Sequence, residues 1–129
     1  MPAESQASVG AWSDATFPGA DPESPRKALR VLEEVVELCL AAGATPTEIH
    51  RAVLKEIGSK PDHASCREPD KVPAEAADVA ITLYGLAYLR KFDLHAAVDA
   101  KMVINRARKW KPNGDGTGYH VKPAEVAGG

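Results

Sequence analysis

The chain has 129 residues, of which 44% are hydrophobic and 26% are charged, a balance typical of one globular domain. Its formal net charge of −2 gives no general attraction to nucleic acid or to an anionic membrane surface. No apolar run is long enough to span a bilayer and no secretory leader is visible, so we expect a cytoplasmic setting.

The sequence predicts an all-α fold, because apolar residues recur at helical spacing and no alternating strand pattern is present. Residues 1–23 are rich in Ala, Ser, Asp, Pro and Gly and are interpreted as an N-terminal arm. Residues 24–111 are the predicted helical domain, and residues 112–129 are a glycine-rich C-terminal tail.

Capping signals divide the helical domain into four predicted helices. Ser24 followed by proline, a Thr45–Glu48 capping box and Asp93 are the start signals of the first, second and fourth helices. The third helix begins with a proline after a polar loop at 59–72. The predicted helices cover about 24–43, 45–58, 73–90 and 94–110.

Three glutamates interrupt the apolar pattern of the first predicted helix. At the helical repeat, Glu33, Glu34 and Glu37 lie between two arcs of aliphatic side chains. A face with apolar residues on both sides is expected to be partly covered, and a covered carboxylate requires a compensating cation. A solvent-exposed face is the alternative for any single glutamate.

The third predicted helix carries two carboxylates three positions apart. Glu75 and Asp78 are the charged residues between Ala74 and Leu89, and the remainder is apolar nearly all round, which is typical of a buried helix. The apolar surface of such a helix is larger than three other short helices can cover. We therefore expect it to form an oligomer interface. A buried ion network with Arg30 or Lys101 is the structural alternative for the two acids.

Together the two helices offer a ligand set made only of carboxylate oxygens. Such a set suits Mg²⁺ or Mn²⁺ and is poor for Zn²⁺, which prefers His and Cys. A di-iron centre is disfavoured because the required Glu-x-x-His spacing is missing. The candidate ligands are Glu34, Glu37, Glu75 and Asp78.

The fourth predicted helix supplies positive charge. Lys101, Asn105 and Arg108 recur at i, i+4 and i+7, which places them on one face. Since a protein-bound Mg²⁺ usually shares its coordination with substrate phosphates, this face is predicted to contact phosphate. A solvated basic face is the alternative, and the small number of aromatic residues argues against a nucleic-acid groove.

These motifs, EExxE at 33–37, ExxD at 75–78 and a basic helix bearing Lys and Asn, resemble the MazG-like all-α nucleoside triphosphate pyrophosphohydrolases. The resemblance covers about residues 24–120. The segments "AWSDATFP" and "KMVINRARKWKPNGDGTGYH" resemble in particular the bacteriophage branch that hydrolyses dATP and dGTP. The segment 44–72 is longer than is usual for the family.

The resemblance implies a four-helix bundle that pairs into a homodimer or homotetramer, and hydrolysis of a nucleoside triphosphate to the monophosphate and diphosphate. It implies the four metal ligands named above, with Glu37 also the general base and Glu33 an orienting residue. Lys101, Asn105 and Arg108 would stabilise charge on the leaving diphosphate. Because four carboxylates exceed the charge of one divalent ion, two or more Mg²⁺ or Mn²⁺ ions per site are expected.

Few aromatic residues are available to bind a base. Trp12 and Phe17 in the N-terminal arm are predicted to wall the base pocket, and Tyr119 in the tail to contact substrate. The resemblance of the arm to the phage branch favours a purine, dGTP or GTP first and dATP second. Pyrimidine nucleotides or phosphoribosyl-ATP on the same scaffold, or a non-catalytic helical interaction module, are the alternatives.

Overall fold

The computed structural model describes residues 3–58 and 67–122. Within these ranges the chain forms five α-helices and one two-stranded antiparallel hairpin, so the prediction of a mainly helical protein is confirmed. A short 3-10 helix, Pro69–Lys71, precedes the fourth helix. The elements are α1 Gln6–Thr16, α2 Arg26–Ala41, α3 Pro46–Gly58, α4 Val72–Arg90, α5 Leu94–Ala107, β1 Lys109–Pro112 and β2 Gly118–Val121.

The chain divides into two compact units. The first combines the described residues up to Val31 with those from Phe92 onward, and the second comprises Leu32–Lys91. The first unit is therefore built from both ends of the described chain. In the part of the chain that the structure describes, no helix is long and apolar enough to cross a membrane.

The predicted capping residues form the expected hydrogen bonds. The Ser24 hydroxyl accepts the amide of Arg26 at 3.2 Å at the start of α2. Thr45 and Glu48 form a reciprocal capping box at 3.0 and 3.1 Å before α3. The Asp93 carboxylate accepts an amide of the first turn of α5 at 3.2 Å. These helix starts are thus determined by local hydrogen bonding.

The end of α2 follows the prediction as well. Gly43 has a φ of 106°, which favours glycine. Its amide donates to Leu40 at 3.1 Å, and the amide of Ala44 donates to Cys39 at 2.9 Å. This pattern is a Schellman motif, and it satisfies the last carbonyls of α2 before α3 begins.

The structure differs from the prediction at the N-terminus, where the predicted arm contains the helix α1. Ser5 is its N-cap, and Ser5 and Ser8 exchange side-chain to backbone hydrogen bonds at 3.1 and 2.8 Å. The helix was missed because its sequence carries few large apolar residues and its capping box uses Ser8 instead of the usual Glu or Gln. The described chain therefore has one more helix than predicted.

The second difference concerns the C-terminus, where α5 ends at Ala107 and part of the predicted tail is a β-hairpin. Trp110 pairs with His120 across the hairpin, and the loop closes with the Asn113 amide donating to the Thr117 carbonyl at 2.8 Å. Hydrogen bonds from Thr117 hold the pKa of Asp115 below its ordinary value. Strands of four residues are too short to show a reliable alternation in sequence.

Aromatic rings form the core of the first unit. Phe17 is only 9% exposed, and its ring lies edge-on to Trp12 at 5.6 Å and to Trp110 at 5.4 Å between centroids. The hairpin reaches Phe17 only because Gly118 has no side chain, since a Cβ there would lie 2.7 Å from the Phe17 ring. The aromatic residues thus join α1 to the hairpin.

An ion pair fixes the start of α1 to α5. Arg106 donates two hydrogen bonds to the Glu4 carboxylate, at 2.9 and 3.0 Å. The Glu4 amide donates to the Asp99 carboxylate at 2.9 Å, and the Ser8 hydroxyl donates to Glu4 at 2.6 Å. Such a bidentate arrangement is directional and holds the two segments in register.

The second unit buries little of its apolar surface within the chain. Arg90 at the end of α4 donates to the Ala42 carbonyl at 2.9 Å, which connects the C-terminal ends of α4 and α2. In α4 only Ala87 is buried. Its exposed large apolar side chains are Val72, Val79, Ile81, Tyr84, Tyr88 and Leu89. Within the described residues, the most apolar helix is thus left largely exposed.

Acidification tests the Glu4–Arg106 pair. Hydrogen bonds from Arg106, and then from Ser8, hold the pKa of Glu4 below its ordinary value. The pair therefore stabilises the fold above the unfolded-state pKa, and this contribution is lost as the pH falls below about 4, through the folded-state pKa. We expect Glu4→Gln to lower Tm at neutral pH, with a difference from wild type that shrinks on acidification, as followed by circular dichroism.

Asp14→Asn is the matched control, because Asp14 is an exposed carboxylate of α1 with no ion pair among the described residues. Its Tm should follow that of the wild type at every pH. A Tm difference between Glu4→Gln and wild type that stays constant from neutral to acidic pH would contradict a titrating pair.

Candidate active site

The first candidate group lies in the middle of α2. Glu33, Glu34 and Glu37 are all exposed in the single chain. Glu34 and Glu37 are three residues apart within one regular helix, so their carboxylates lie on the same side. Flanking Val35 and Val36 are half-buried, so the predicted apolar cover of these acids is only partial within the chain.

The second candidate group lies at the start of α4. Glu75 is in the first turn of the helix and Asp78 follows one turn later, and both are exposed. Their spacing again places two carboxylates on one side of a helix. The structure thus provides two carboxylate pairs, and each is formed by helical geometry alone.

The two pairs are not joined within the single chain. No group of three or more His, Cys, Asp or Glu side chains that could hold a metal ion occurs among residues 3–58 and 67–122. The contact between Arg90 and Ala42 marks the shared end of α4 and α2. Along each helix axis Asp78 lies about 18 Å and Glu37 about 8 Å from that end. Asp78 is thus farther along its helix from this contact than Glu37 is along its own.

The donor chemistry of the two pairs fits a hard divalent cation. All four candidate side chains offer carboxylate oxygens, which Mg²⁺ and Mn²⁺ accept and which a zinc site rarely uses alone. Each pair can supply two oxygen ligands without any change of its helix. The type of ligand atom thus fits the metal. All four carboxylates can bind one ion only if the two pairs approach each other.

The predicted basic face of α5 has two of its three residues within the helix and the third at its C-cap. Lys101 is exposed and Asn105 is half-buried, and both belong to the helix. Arg108 is the C-cap, with an extended backbone at φ −78° and ψ 157°. The helix ends before Arg108, so the regular helical repeat does not fix where its guanidinium lies.

A different side of α5 holds α1. Asp99 and Arg106 are two turns apart and both bind Glu4 or its amide. At the helical repeat they lie about 130° around the axis from Lys101 and Asn105. Arg106 is therefore part of the scaffold, and α5 presents its candidate phosphate contacts on a separate side.

A hydrogen bond that the sequence did not reveal lies at the end of α5. The indole N–H of Trp110 donates to the main-chain carbonyl of Asn105 at 2.9 Å. No sequence pattern predicts this hydrogen bond, because it depends on the hairpin turning back toward the helix. Trp110 is thereby in direct contact with the main chain of a candidate phosphate-binding residue.

The three aromatic residues predicted to contact substrate differ in accessibility. Phe17 is a core residue and Trp12 is half-buried against it. Tyr119 is 54% exposed and is paired across the hairpin with Lys111, so the two side chains share one face. Packing accounts for Phe17 and for part of Trp12, and Tyr119 has the most open ring of the three.

Comparison with known proteins gives two relatives. No family model matches the chain, and no solved structure matches it. The "dATP/dGTP diphosphohydrolase" of Cyanophage S-2L is 39% identical over 74 residues, which are 57% of this chain and 67% of that protein. The "dATP/dGTP diphosphohydrolase" of Salmonella phage PMBT28 is 32% identical over 119 residues, which are 92% of this chain and 31% of that protein.

The chain thus spans about a third of the length of the Salmonella phage relative and about two thirds of the cyanophage one. Both relatives are named for the same activity, and it agrees with the resemblance seen in the acidic motifs and in the two end segments. The chain belongs to the family of phage dATP/dGTP diphosphohydrolases.

Proposed function

We propose that the chain is a metal-dependent nucleoside triphosphate pyrophosphohydrolase with a preference for purines. It would convert a (deoxy)nucleoside triphosphate and water to the monophosphate and diphosphate. The observation that carries the proposal is the presence of two i, i+3 carboxylate pairs, on α2 and α4, in a member of this family. The relatives are named for dATP and dGTP, which supports a purine substrate, and we rank dGTP or GTP first and dATP second.

The proposed metal ligands are Glu34, Glu37, Glu75 and Asp78, with Mg²⁺ or Mn²⁺ as the ion. When bound, the ions would polarise the α-phosphate and lower the pKa of the attacking water. We propose two or more ions per site, because four carboxylates exceed the charge of one ion. Because no three of the described acids come together in the single chain, several ions are favoured over one ion held by all four acids.

The remaining polar side chains are proposed to act directly on water and on the phosphates. Glu37 would accept the proton of the attacking water, and Glu33 would orient it. Lys101, Asn105 and Arg108 would bind the phosphate oxygens and stabilise the charge that develops on the leaving diphosphate. This assignment agrees with the separation of the Lys101 and Asn105 side of α5 from the side that Arg106 uses.

We further propose that α4 mediates a homodimer or homotetramer. Its exposed Ile81, Tyr88 and Leu89 would be covered by a second copy, as an apolar surface of this extent on one helix favours. Gly85 on the same helix leaves open space around its Cα, which permits close approach of another helix.

For the base we propose a pocket to which Tyr119, Trp12 and Phe17 contribute. Tyr119 has an open ring that can stack on a purine, whereas Phe17 can only support Trp12 from the core. Stacking favours the larger purine surface but does not read the base edge. The choice between guanine and adenine therefore depends on polar groups.

The carboxylate pairs are tested by Glu37→Gln and Asp78→Asn. A carboxamide lacks the charge that holds a divalent ion, and loss of a general base alone costs about 100-fold or more in rate. We expect diphosphate release from dGTP with Mg²⁺ to fall by at least that factor in both variants, and calorimetric Mn²⁺ binding to weaken. Circular dichroism should show unchanged helix content.

Asp70→Asn serves as the control, because Asp70 is an exposed acid just before α4 and outside both pairs. It should retain wild-type turnover. Near-wild-type turnover of either Glu37→Gln or Asp78→Asn would overturn the metal-site assignment.

The proposed assembly is tested by light scattering on the wild type and on Ile81→Glu. A charge placed on the apolar face of α4 would be desolvated in an interface, at a cost of several kcal/mol per chain, so we expect the variant to be monomeric. Leu54→Glu on α3 is the control, since Leu54 is 66% and Ile81 63% exposed. A monomeric wild type at micromolar concentration would refute the interface.

Base preference is tested with a panel of dGTP, dATP, dCTP and dTTP. Removing a stacking ring costs about 1–3 kcal/mol per base, so Tyr119→Ala should raise KM for the purine substrates roughly tenfold or more. Equal kcat/KM of the wild type on all four nucleotides would refute the purine preference and leave the pyrophosphohydrolase proposal standing.

A further inference from the structure

The last turn of α5 is held by a bond that the helix itself does not provide. Asn105 lies in the last turn, where carbonyls lose their intrahelical partners. Its carbonyl accepts the Trp110 indole N–H at 2.9 Å and, less closely, the Arg108 amide at 3.3 Å. Trp110 thus supplies the shorter of the two hydrogen bonds to this carbonyl.

The donor itself is fixed in place. The Trp110 ring lies 5.4 Å from Phe17 and 5.8 Å from Trp12, edge-on to both, and 5.7 Å from His120. Since Phe17 is buried, the indole cannot rotate without disturbing the core of its unit. The N–H is therefore a rigid donor aimed at the main chain of α5.

The Asn105 side chain has little to orient it directly. Its carboxamide nitrogen lies 3.9 Å from the sulfur of Met102, which is a weak acceptor, and Met102 is 4% exposed. In the part of the chain that the structure describes, no other hydrogen bond of this carboxamide is present. The direction of the side chain thus follows from the position of its main chain.

We propose that Trp110 is a positioning residue for Asn105, and through it a determinant of diphosphate binding. The proposal rests on the proposed function, in which Asn105 contacts the phosphates. Trp110 holds the main chain of the last turn of α5, and thereby the position from which the carboxamide extends. Because all nucleoside triphosphates share the same phosphate groups, this contribution is independent of the base.

A second restraint on the same turn supports this role. Arg106, the neighbour of Asn105, is held by Glu4 through two hydrogen bonds. Glu4 holds this turn through the Arg106 side chain, and Trp110 holds it through the main-chain carbonyl of Asn105. The Asn105 carboxamide belongs to this turn and takes part in neither of the two restraining contacts.

The experiment is Trp110→Phe in the full chain, which keeps an aromatic ring and removes only the indole N–H and part of the ring area. A hydrogen bond of this kind contributes a factor of roughly 3 to 10. We expect kcat/KM to fall by that factor equally for dGTP, dATP and dCTP. The inhibition constant of magnesium diphosphate should rise by the same factor, while that of dGMP stays unchanged.

Thr117→Val is the matched control for a purely structural effect. Thr117 is 5% exposed and its hydroxyl bonds with Asp115 and Asn113 in the hairpin loop, away from Asn105. This variant should lower Tm at least as much as Trp110→Phe and leave kcat/KM and the diphosphate inhibition constant at wild-type values. If Trp110 only supported the fold, the two variants would behave alike.

A double-mutant cycle decides whether Trp110 acts through Asn105. Once Asn105→Ala has removed the carboxamide, adding Trp110→Phe should change diphosphate inhibition by less than about twofold, because coupled residues are not additive. Fully multiplicative effects would overturn the positioning role, as would a loss confined to one base.

Failure of the proposed function has a different signature. A wild-type protein that neither releases diphosphate from any nucleotide nor binds magnesium diphosphate by calorimetry would overturn both proposals. Wild-type hydrolysis with an unchanged Trp110→Phe variant would overturn the positioning role alone. Diphosphate binding that weakens in Trp110→Phe, in a protein without hydrolysis, would support the positioning role and refute the activity.

Discussion

The contact between Phe17 and Trp110 is the interaction on which the first unit depends. It joins a residue after α1 to a residue after α5, so the two ends of the described chain meet at one aromatic core. Closing so long a loop has an entropic cost that only a well-packed contact can offset. The hydrogen bonds between Glu4, just before α1, and Arg106 of α5 also join these two parts of the chain. The last turn of α5, which carries Asn105, is positioned as a consequence of both connections.

The second unit has the opposite character, because the large apolar side chains of α4 are exposed and no metal-binding group of three or more acids forms among its described residues. α4 buries only Ala87, and its acids Glu75 and Asp78 are solvated in the single chain. In the proposed assembly these two facts are coupled. A second copy that covered α4 would also remove water from nearby carboxylates, and desolvated carboxylates require a cation. Assembly and metal binding would then stabilise each other.

What the sequence predicted correctly are the features that depend on neighbouring residues. Ser24, Thr45 with Glu48, Gly43 and Asp93 begin or end their helices through hydrogen bonds within a few positions, so the pattern contains the whole cause. The helix α1 was missed because its capping box is atypical and its large apolar residues are few, and the hairpin was missed because distant contacts stabilise it. Each carboxylate pair could be predicted because its spacing is set within one helix. The distance between the two pairs depends on tertiary structure and could not be predicted.

The aromatic core also changes how substrate recognition is divided among the residues. From the sequence, large rings in a polar arm indicated a base pocket, but Phe17 is 9% exposed and is needed to hold the hairpin. Reading a base requires accessible surface, and Tyr119 offers more of it than Phe17 does. In the proposed scheme, a substitution of Phe17 would reach the substrate mainly through Trp110 and the end of α5. Such an effect would fall on the phosphates, which every nucleotide shares, whereas base selectivity would arise from accessible rings and from polar groups that contact the base edge.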